Sequence, residues 1–382
     1  MSIRSKNIVI VAHKYLTQPD DELVNFLVEQ KAANVMFIRH SFSDAADRIS
    51  YFTWYREGAI YKKGRTRDFN KWPELFIYLK EFYFTWHWLV RAKVRWDKYI
   101  GLDGLCVYFG LFFRLIRLTK KVVFWAMDFV PEKRFGSRIV NWIYHSINIA
   151  GYQRSDEMWD LAPRMVEARE KFLGFSRKRY RKNRLVPYGV WLDRIKRYSY
   201  DQCNQKTIVF MGHMLEKQGA QLVLRALPLI IQRIPNIQYK LIGGGNYLDS
   251  LIIEAKRLGV YDYCKFLGRV EDITKVEAEI ARSAVAVAPY IKELDTWTYY
   301  ADPGKIKTYL ACGVPVVMTD IPWNAHQIQE AHCGLICSEE PIDLAQKILY
   351  LLEESHNRAY RQNAIEFART FNYKNIFNRL SL

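Results

Sequence analysis

Residues 207–245 read TIVFMGHMLEKQGAQLVLRALPLIIQRIPNIQYKLIGGG, and their changing period decides the fold class. Thr207–Met211 is a short apolar, β-branched run closed by Gly212, which predicts a fully buried strand. An amphipathic helix is predicted from about Ala220 to Arg233, followed by a second buried strand, Gln238–Ile242, that stops at Gly243-Gly244-Gly245. Strands that are apolar on both faces and joined by helices belong to a parallel sheet covered on both sides. The alternation runs on through a helix near Tyr247–Leu258, Lys265–Leu267, a helix near Ile273–Arg282 and the strand Ala284–Ala288. A helix near Gly304–Ala311, the strand Val314–Met318 and a helix near Ile342–Glu353 complete it. In such a Rossmann-like domain, ligands bind at the carboxyl ends of the strands.

The other half opens in the same way, with a strand at Asn7–Val11, a helix from Asp20 to about Lys31 and a strand at Asn34–Ile38. Lys98–Gly101, Lys121–Trp125 and Glu157–Asp160 are further strand candidates. The chain of 382 residues and 45.3 kDa suits two domains, and half of its residues are apolar, enough for full-sized cores. No run approaches 18 apolar residues, and the stretch Ile8–Ala12 is too short for a signal peptide. The six cysteines form no paired C-x-x-C motif, so buried free thiols in a reducing cytoplasm are expected.

Charge is unevenly placed. Residues 1–200 hold 37 Lys and Arg against 20 Asp and Glu, a net of +17, whereas residues 201–382 hold 20 against 20. Any anionic partner therefore meets the N-terminal half. That half also contains Trp72–Trp96, WPELFIYLKEFYFTWHWLVRAKVRW. Read as a helix, it is apolar almost all round, with Trp86 and Trp88 inside it and Arg91, Lys93, Arg95 and Lys98 gathered at its C-terminal end. A buried helix is the plain reading. The sharper one is a surface that lies on anionic lipid, aromatic rings at headgroup depth and cations toward the lipid phosphates. Arg56, Lys62, Lys63, Arg65 and Arg67, and the run Arg177–Arg184, reinforce it.

Three motifs carry chemistry. Phe210-Met211-Gly212-His213 leads to Lys217-Gln218-Gly219 just before a helix, where bare backbone and helix N–H groups can meet phosphate. Gly243-Gly244-Gly245 repeats that position at a neighbouring strand end. The most specific is residues 299–317, YYADPGKIKTYLACGVPVV. Pro303 suits a first helical turn, Asp302 reads as its N-cap, and Lys305 points from that turn to the sheet edge.

The phrase K-x-x-x-Y-L-A-C-G-V-P-V-V, preceded by F-x-G-x-x-x-x-K-Q-G and G-G-G at matching distances, resembles the nucleotide-sugar domain of GT-B glycosyltransferases of the family 4 type, over about Lys206–Glu354. The resemblance implies an α/β protein of two Rossmann-like domains facing a central cleft. The expected division is 1–190 as the acceptor- and membrane-facing domain and 191–355 as the nucleotide-sugar domain, with 356–382 returning to the first. Val186-Pro187-Tyr188-Gly189-Val190 is similar to the crossing segment of that group. The E-x7-E pair of its retaining members is missing, for Tyr300 and Thr308 stand at those positions. A similar A-P-Y, a similar A-D-x-x-x-K and a comparable strand-end aspartate link the chain to the inverting, membrane-associated glucuronosyltransferase type of xanthan synthesis. That likeness puts Asp128 in the general-base position and Lys305 and Tyr290 in the nucleotide site. Gly212, His213, Lys217, Gly244, Arg269 and Asp302 complete the candidate donor site.

Chemistry supports Asp128 separately, because an inverting transfer needs one carboxylate to take the acceptor's proton, and Asp128 follows the strand Val122–Trp125. His13 competes for that role or lines the acceptor site. No D-x-D occurs in the chain, so Lys305, His213 and Lys217 are expected to meet the leaving diphosphate without a metal or other cofactor. The expected partners are a UDP-sugar, a lipid-linked or glycan acceptor and the anionic inner face of the cell membrane. Nucleic-acid binding is the alternative for a basic half, but its cations interleave with bulky aromatics and no nucleic-acid module is visible. An inactive GT-B scaffold is the other alternative. Neither glycine turn reads G-x-G-x-x-G, which disfavours a nicotinamide enzyme.

Overall fold

Asn7–Lys14 (β1) buries Ile8 through Ala12 completely, because helices and strands cover both of its faces. In this computed structural model residues 3–14, 19–41, 47–129, 134, 136–175, 183–292, 296–380 and 382 are described. The chain divides into Met1–Pro187 with Phe377–Leu382 and a second unit, Tyr188–Ile376.

After β1 the first unit continues with α1 (Asp20–Glu29), β2 (Asn34–Ser41), β3 (Tyr51–Arg56), β4 (Ala59–Arg65), α2 (Glu74–Arg91), β5 (Trp96–Gly101) and α3 (Gly104–Leu115). It ends with β6 (Thr119–Ala126), α4 (Arg138–Arg154), β7 (Glu157–Asp160), α5 (Pro163–Leu173) and β8 (Asn183–Leu185). The sheet order is β4-β3-β2-β1-β5-β6-β7-β8, parallel except for β3 and β4. That antiparallel hairpin is absent from the sequence reading, which registered its residues only as cations. Lys62, Lys63 and Arg65 lie on the edge strand β4, where charge discourages pairing with another chain. Of the basic run Arg177–Arg184, residues 177–182 lie outside the described residues.

Helix α2 departs from an apolar rod. Its buried side is Ile77, Lys80, Glu81, Thr85 and Leu89, while Leu75, Phe76, Leu79, Tyr83, Trp86 and Val90 are exposed. Trp88 is a correction to the surface reading, for it is half-buried, with its ring 4.8 Å from Phe52 of β3. Trp96 is fully buried in β5. Arg91, Lys93 and Arg95 are exposed, whereas Lys98 is a correction: it lies buried in β5 and pairs with Glu157 at 3.0 Å. Phe82 stacks on Phe113 and meets Phe109 and Phe112 edge-on, joining α2 to α3. No helix of the described residues is long and apolar enough to cross a membrane.

The second unit comprises β9 (Asn204–Met211), α6 (Ala220–Arg233), β10 (Gln238–Ile242), α7 (Leu248–Arg257), β11 (Cys264–Gly268), α8 (Ile273–Ala281) and β12 (Ser283–Ala288). Then follow α9 (Thr296–Tyr300), α10 (Gly304–Ala311), β13 (Val316–Thr319), α11 (Ala325–Glu330), β14 (Gly334–Cys337), α12 (Pro341–Leu352), α13 (Glu354–Ala368) and α14 (Tyr373–Asn378). All six strands are parallel in the order β11-β10-β9-β12-β13-β14. Residues 356–376 belong here and not to the first unit, which takes only Phe377–Leu382. The reason is Arg361 on α13, whose buried guanidinium donates to the carbonyls of Ser283, Ala281 and Tyr198 at 2.9–3.0 Å. All six cysteines are free.

Candidate active site

In the second unit the chain order reverses between β9 and β12, the place where such a sheet opens a crevice at its carboxyl edge. Gly212 follows β9 and donates its N–H to the Ile242 carbonyl at 2.9 Å. Gly243 follows β10, and a Cβ there would lie 1.9 Å from the Gly212 carbonyl oxygen. Its φ of +136° is equally closed to a side chain, so only glycine lets the two turns meet.

Lys305, in the first turn of α10, aims at this junction. Its Nζ stands 3.0 Å from where a Cβ on Gly212 would be, over the rings of Phe210 (4.2 Å) and Tyr290 (4.9 Å), and donates to Gln218 Oε1 at 2.5 Å. Burial pulls the ammonium down to about 7 from an ordinary value of 10.5, and no carboxylate is among the causes that offset it. A lysine so placed gains most from an anionic ligand. One turn on, the Tyr309 hydroxyl accepts from the Met211 N–H at 2.7 Å and fastens the end of β9. Gln218, Phe210 and Tyr309 had no role in the sequence reading, although all three lie inside its motifs.

The remaining donor candidates gather at the same edge. His213 is exposed, its ring packed where Gly245 has no side chain. Arg269, exposed past the end of β11, has its Cβ 3.7 Å from the position a Gly244 Cβ would take. Lys217 lies in a short 3-10 turn, and its carbonyl accepts from Ile291 next to Tyr290. Asp302 is a correction. It is not the N-cap of α10, a place that Pro303 takes, and it offers nothing to a ligand. Its buried carboxylate pairs with Lys307 and accepts from Tyr188 N–H (2.7 Å) and Trp323 Nε1 (2.9 Å). Thr308, at one missing carboxylate position, bonds back to the Gly304 carbonyl.

The catalytic candidates stand at the corresponding edge of the first unit. Asp128 lies two residues past β6, is 53% exposed in its side chain, and accepts from Arg134 Nη1 at 2.9 Å. Arg134 also donates to the Tyr144 hydroxyl at 3.1 Å. His13 is a strand residue of β1, and residues 15–18 that follow the strand lie outside the described residues. Its Nδ1 is 2.8 Å from Asp103 Oδ2 and its Nε2 is 3.1 Å from Glu81 Oε2. Carboxylates only accept, so both ring nitrogens act as donors here. Burial lowers the imidazole's proton affinity, but Asp103, Cys106 and Glu81 outweigh it and hold it well above the ordinary range. Among the described residues, His13, Asp103 and Cys106 have metal-ligand spacing.

Residues 205–354 match the model of the family described as Glycosyl transferases group 1. The chain is 30% identical over 141 residues to a phosphatidyl-myo-inositol mannosyltransferase of Mycobacterium tuberculosis, covering 36% of this chain and 34% of that protein. It thus spans about a third of the length of the first curated relatives it matches. An uncharacterized glycosyltransferase of Haemophilus influenzae is 22% identical over 278 residues, 72% of each chain. Among solved structures, sucrose-phosphate synthase from Thermosynechococcus elongatus has a TM-score of 0.69 at 16% identity, covering 97% of this chain and 96% of that one. Anabaena HepE, solved with UDP, has a TM-score of 0.68 at 15% identity over 98% of each chain. At such identities the likeness is one of fold: the α/β fold with two Rossmann-like units is that of the GT-B glycosyltransferases.

The Asp302–Lys307 pair makes a prediction of its own. Removing one buried partner strands the other's charge, so Asp302→Ala should cost about 3–5 kcal/mol of stability. The joint replacement Asp302→Leu with Lys307→Met should recover most of the loss. Denaturant unfolding measures both, and a single variant within about 1 kcal/mol of the parent would show that the pair is dispensable.

Proposed function

We propose that this chain is a glycosyltransferase that moves a sugar from a uridine diphosphate donor to a lipid-linked acceptor at a membrane surface. The observation that carries the reading is Lys305, desolvated and with no carboxylate partner among the described residues, over two glycine turns at the sheet's reversal point. Backbone N–H groups and one ammonium are what a diphosphate leaving group requires as its charge grows. The family match over residues 205–354 covers these turns, and HepE was solved with UDP. Donor binding needs no divalent metal in this reading, because lysine and backbone supply the positive field.

The transfer is inverting, with Asp128 as the base. It stands at a carboxyl strand edge, half in solvent, and Arg134 keeps it oriented until an acceptor hydroxyl displaces the pair. A glucuronosyltransferase-like acceptor chemistry on a lipid carrier is consistent with the missing E-x7-E. The mycobacterial relative is named for a phosphatidylinositol acceptor, and α2 supports a peripheral place on the inner membrane face. Lys80, Glu81 and Thr85 point inward while Leu75, Phe76, Leu79, Tyr83, Trp86 and Val90 point outward, with Ile139, Val140, Trp142 and Ile143 of α4 also exposed. Trp86, Arg91, Lys93 and Arg95 are the contact residues of this reading.

Three outcomes are expected. Calorimetry with UDP should give binding that chelators leave unchanged and that Lys305→Ala weakens by about 1.5–3 kcal/mol. Lys305 has a folded pKa near 7 that a bound diphosphate raises, so binding above pH 7 should take up a proton. Affinity should then fall by up to about tenfold per pH unit as pH rises, and Lys305→Ala should abolish the uptake. A strict need for Mn²⁺, or an unchanged Lys305→Ala affinity, would overturn the donor site.

Asp128→Asn should lower turnover by about 10²–10⁴-fold and leave UDP affinity alone. Near-normal turnover, or a product that keeps the donor's anomeric configuration, counts against the base assignment.

Flotation should show binding to acidic vesicles at low salt that salt weakens and that Arg91→Glu, Lys93→Glu and Arg95→Glu together abolish. A chain that ignores acidic vesicles rejects the membrane surface while leaving the donor site standing.

A further inference from the structure

The transfer chemistry leaves His13, Asp103, Cys106 and Glu81 without a task. They meet between β1 and β5, where the chain order of the first sheet reverses and where a doubly wound sheet takes its ligands. His13 comes from the end of β1. Asp103 caps α3, its Oδ1 accepting the Cys106 N–H at 2.9 Å, and Cys106 lies in that helix's first turn. The ligand atoms Nδ1, Oδ2 and Sγ all lie within 4.8 Å of one another, with Nδ1 2.8 Å from Oδ2 and 3.6 Å from Sγ.

Zinc bonds of about 2.0 Å to nitrogen and oxygen and about 2.3 Å to sulfur place tetrahedral ligand atoms roughly 3.3–3.8 Å apart. The Sγ–Nδ1 separation already fits, and Asp103 need withdraw by only about half an ångström to admit the ion. Glu81 gives a second, independent pointer. Its carboxylate, with 1% of the side chain exposed, faces the opposite ring nitrogen at 3.1 Å. A carboxylate behind a histidine fixes the ring's tautomer and turns the other nitrogen to a metal. Two carboxylates and a thiol around one imidazole also leave the cluster negative, so a cation and not an anion completes it. The Asp103 side chain is 35% exposed and supplies the path of entry.

We propose that His13, Asp103 and Cys106 bind Zn²⁺, with Glu81 orienting His13 and water in the remaining position. Imidazole, carboxylate and thiolate together suit that borderline divalent ion. Metal bonds form at Nδ1, Sγ and the carboxylate, the Nδ1 and Sγ protons pass to solvent, and nothing is oxidised or reduced. The ion ties the end of β1 to the first turn of α3 and lies in the other unit from the donor turns. It departs from the expectation of a chain without metal, and donor binding does not depend on it.

The test is a Co²⁺ titration of the intact, chelator-stripped chain, followed by absorbance. A thiolate-to-Co²⁺ charge-transfer band with d–d bands of tetrahedral intensity is expected, and Zn²⁺ should bleach both. Cys106→Ser should lose the charge-transfer band. Glu81→Gln should keep it and bind about 10–100-fold more weakly. Cys264→Ser, at the one partly exposed cysteine, should behave as the parent. Circular dichroism checks that each variant is folded. If Cys106→Ser does not fold, the parent spectrum decides: no charge-transfer band overturns the site. A band that survives in folded Cys106→Ser overturns it too, and parental affinity in Glu81→Gln removes the orienting carboxylate.

Discussion

Lys307 is buried with its charge, and Asp302 is what makes that tolerable. The carboxylate pairs with the ammonium and takes further hydrogen bonds from Tyr188 and Trp323, so both of its oxygens are engaged. Lys307 in turn donates to the Tyr188 carbonyl at 2.8 Å, which pins the start of the second unit to the base of α10. Once α10 is held there, its register is settled. Lys305, two residues earlier, reaches the Gly212 turn, and Tyr309, two residues later, fastens Met211. The edge that carries the candidate donor residues is thus built on a buried charge pair. The pair costs desolvation on both sides, and its worth lies in the geometry it imposes.

The first unit shows the same economy in reverse. Helix α2 turns Lys80, Glu81 and Thr85 inward, and each finds polar company: Lys80 donates to the Arg48 carbonyl and Ser50, Thr85 meets His40, and Glu81 meets His13. With its polar residues consumed inside, the helix presents Leu75, Phe76, Leu79, Tyr83 and Trp86 outward. A helix patterned this way is stable only because its buried polar groups are satisfied.

Much of the second unit was legible because burial on both faces writes itself into sequence as short apolar runs. The strand Gln238–Ile242 and the helices Ala220–Arg233 and Gly304–Ala311 fall where their patterns predict. The glycine turns were equally plain, since close backbone approach tolerates nothing else. The hairpin Tyr51–Arg65 was not, because its outer strand carries exposed cations whose alternation looks like a charge cluster. Asp302 was misread for a related reason. An aspartate before Pro-Gly at a helix start has the local grammar of a cap, and its partner Lys307 is visible only in three dimensions.

By itself, then, the sequence determined the class of fold, most of the strand and helix order of the second unit, and the backbone turns where an anion can sit. These follow from local pattern and from glycine, which act over a few residues. Tertiary structure alone decided which charged side chains face a ligand and which face each other. His13 became a doubly bonded cation through Glu81 and Asp103, 68 and 90 residues away. Trp88 packed half-buried against Phe52 while Trp86 stayed outside, and Asp302 went to Lys307. The physical reason is that a charge's role is set by its nearest partners and its solvent, and chain separation carries no information about either.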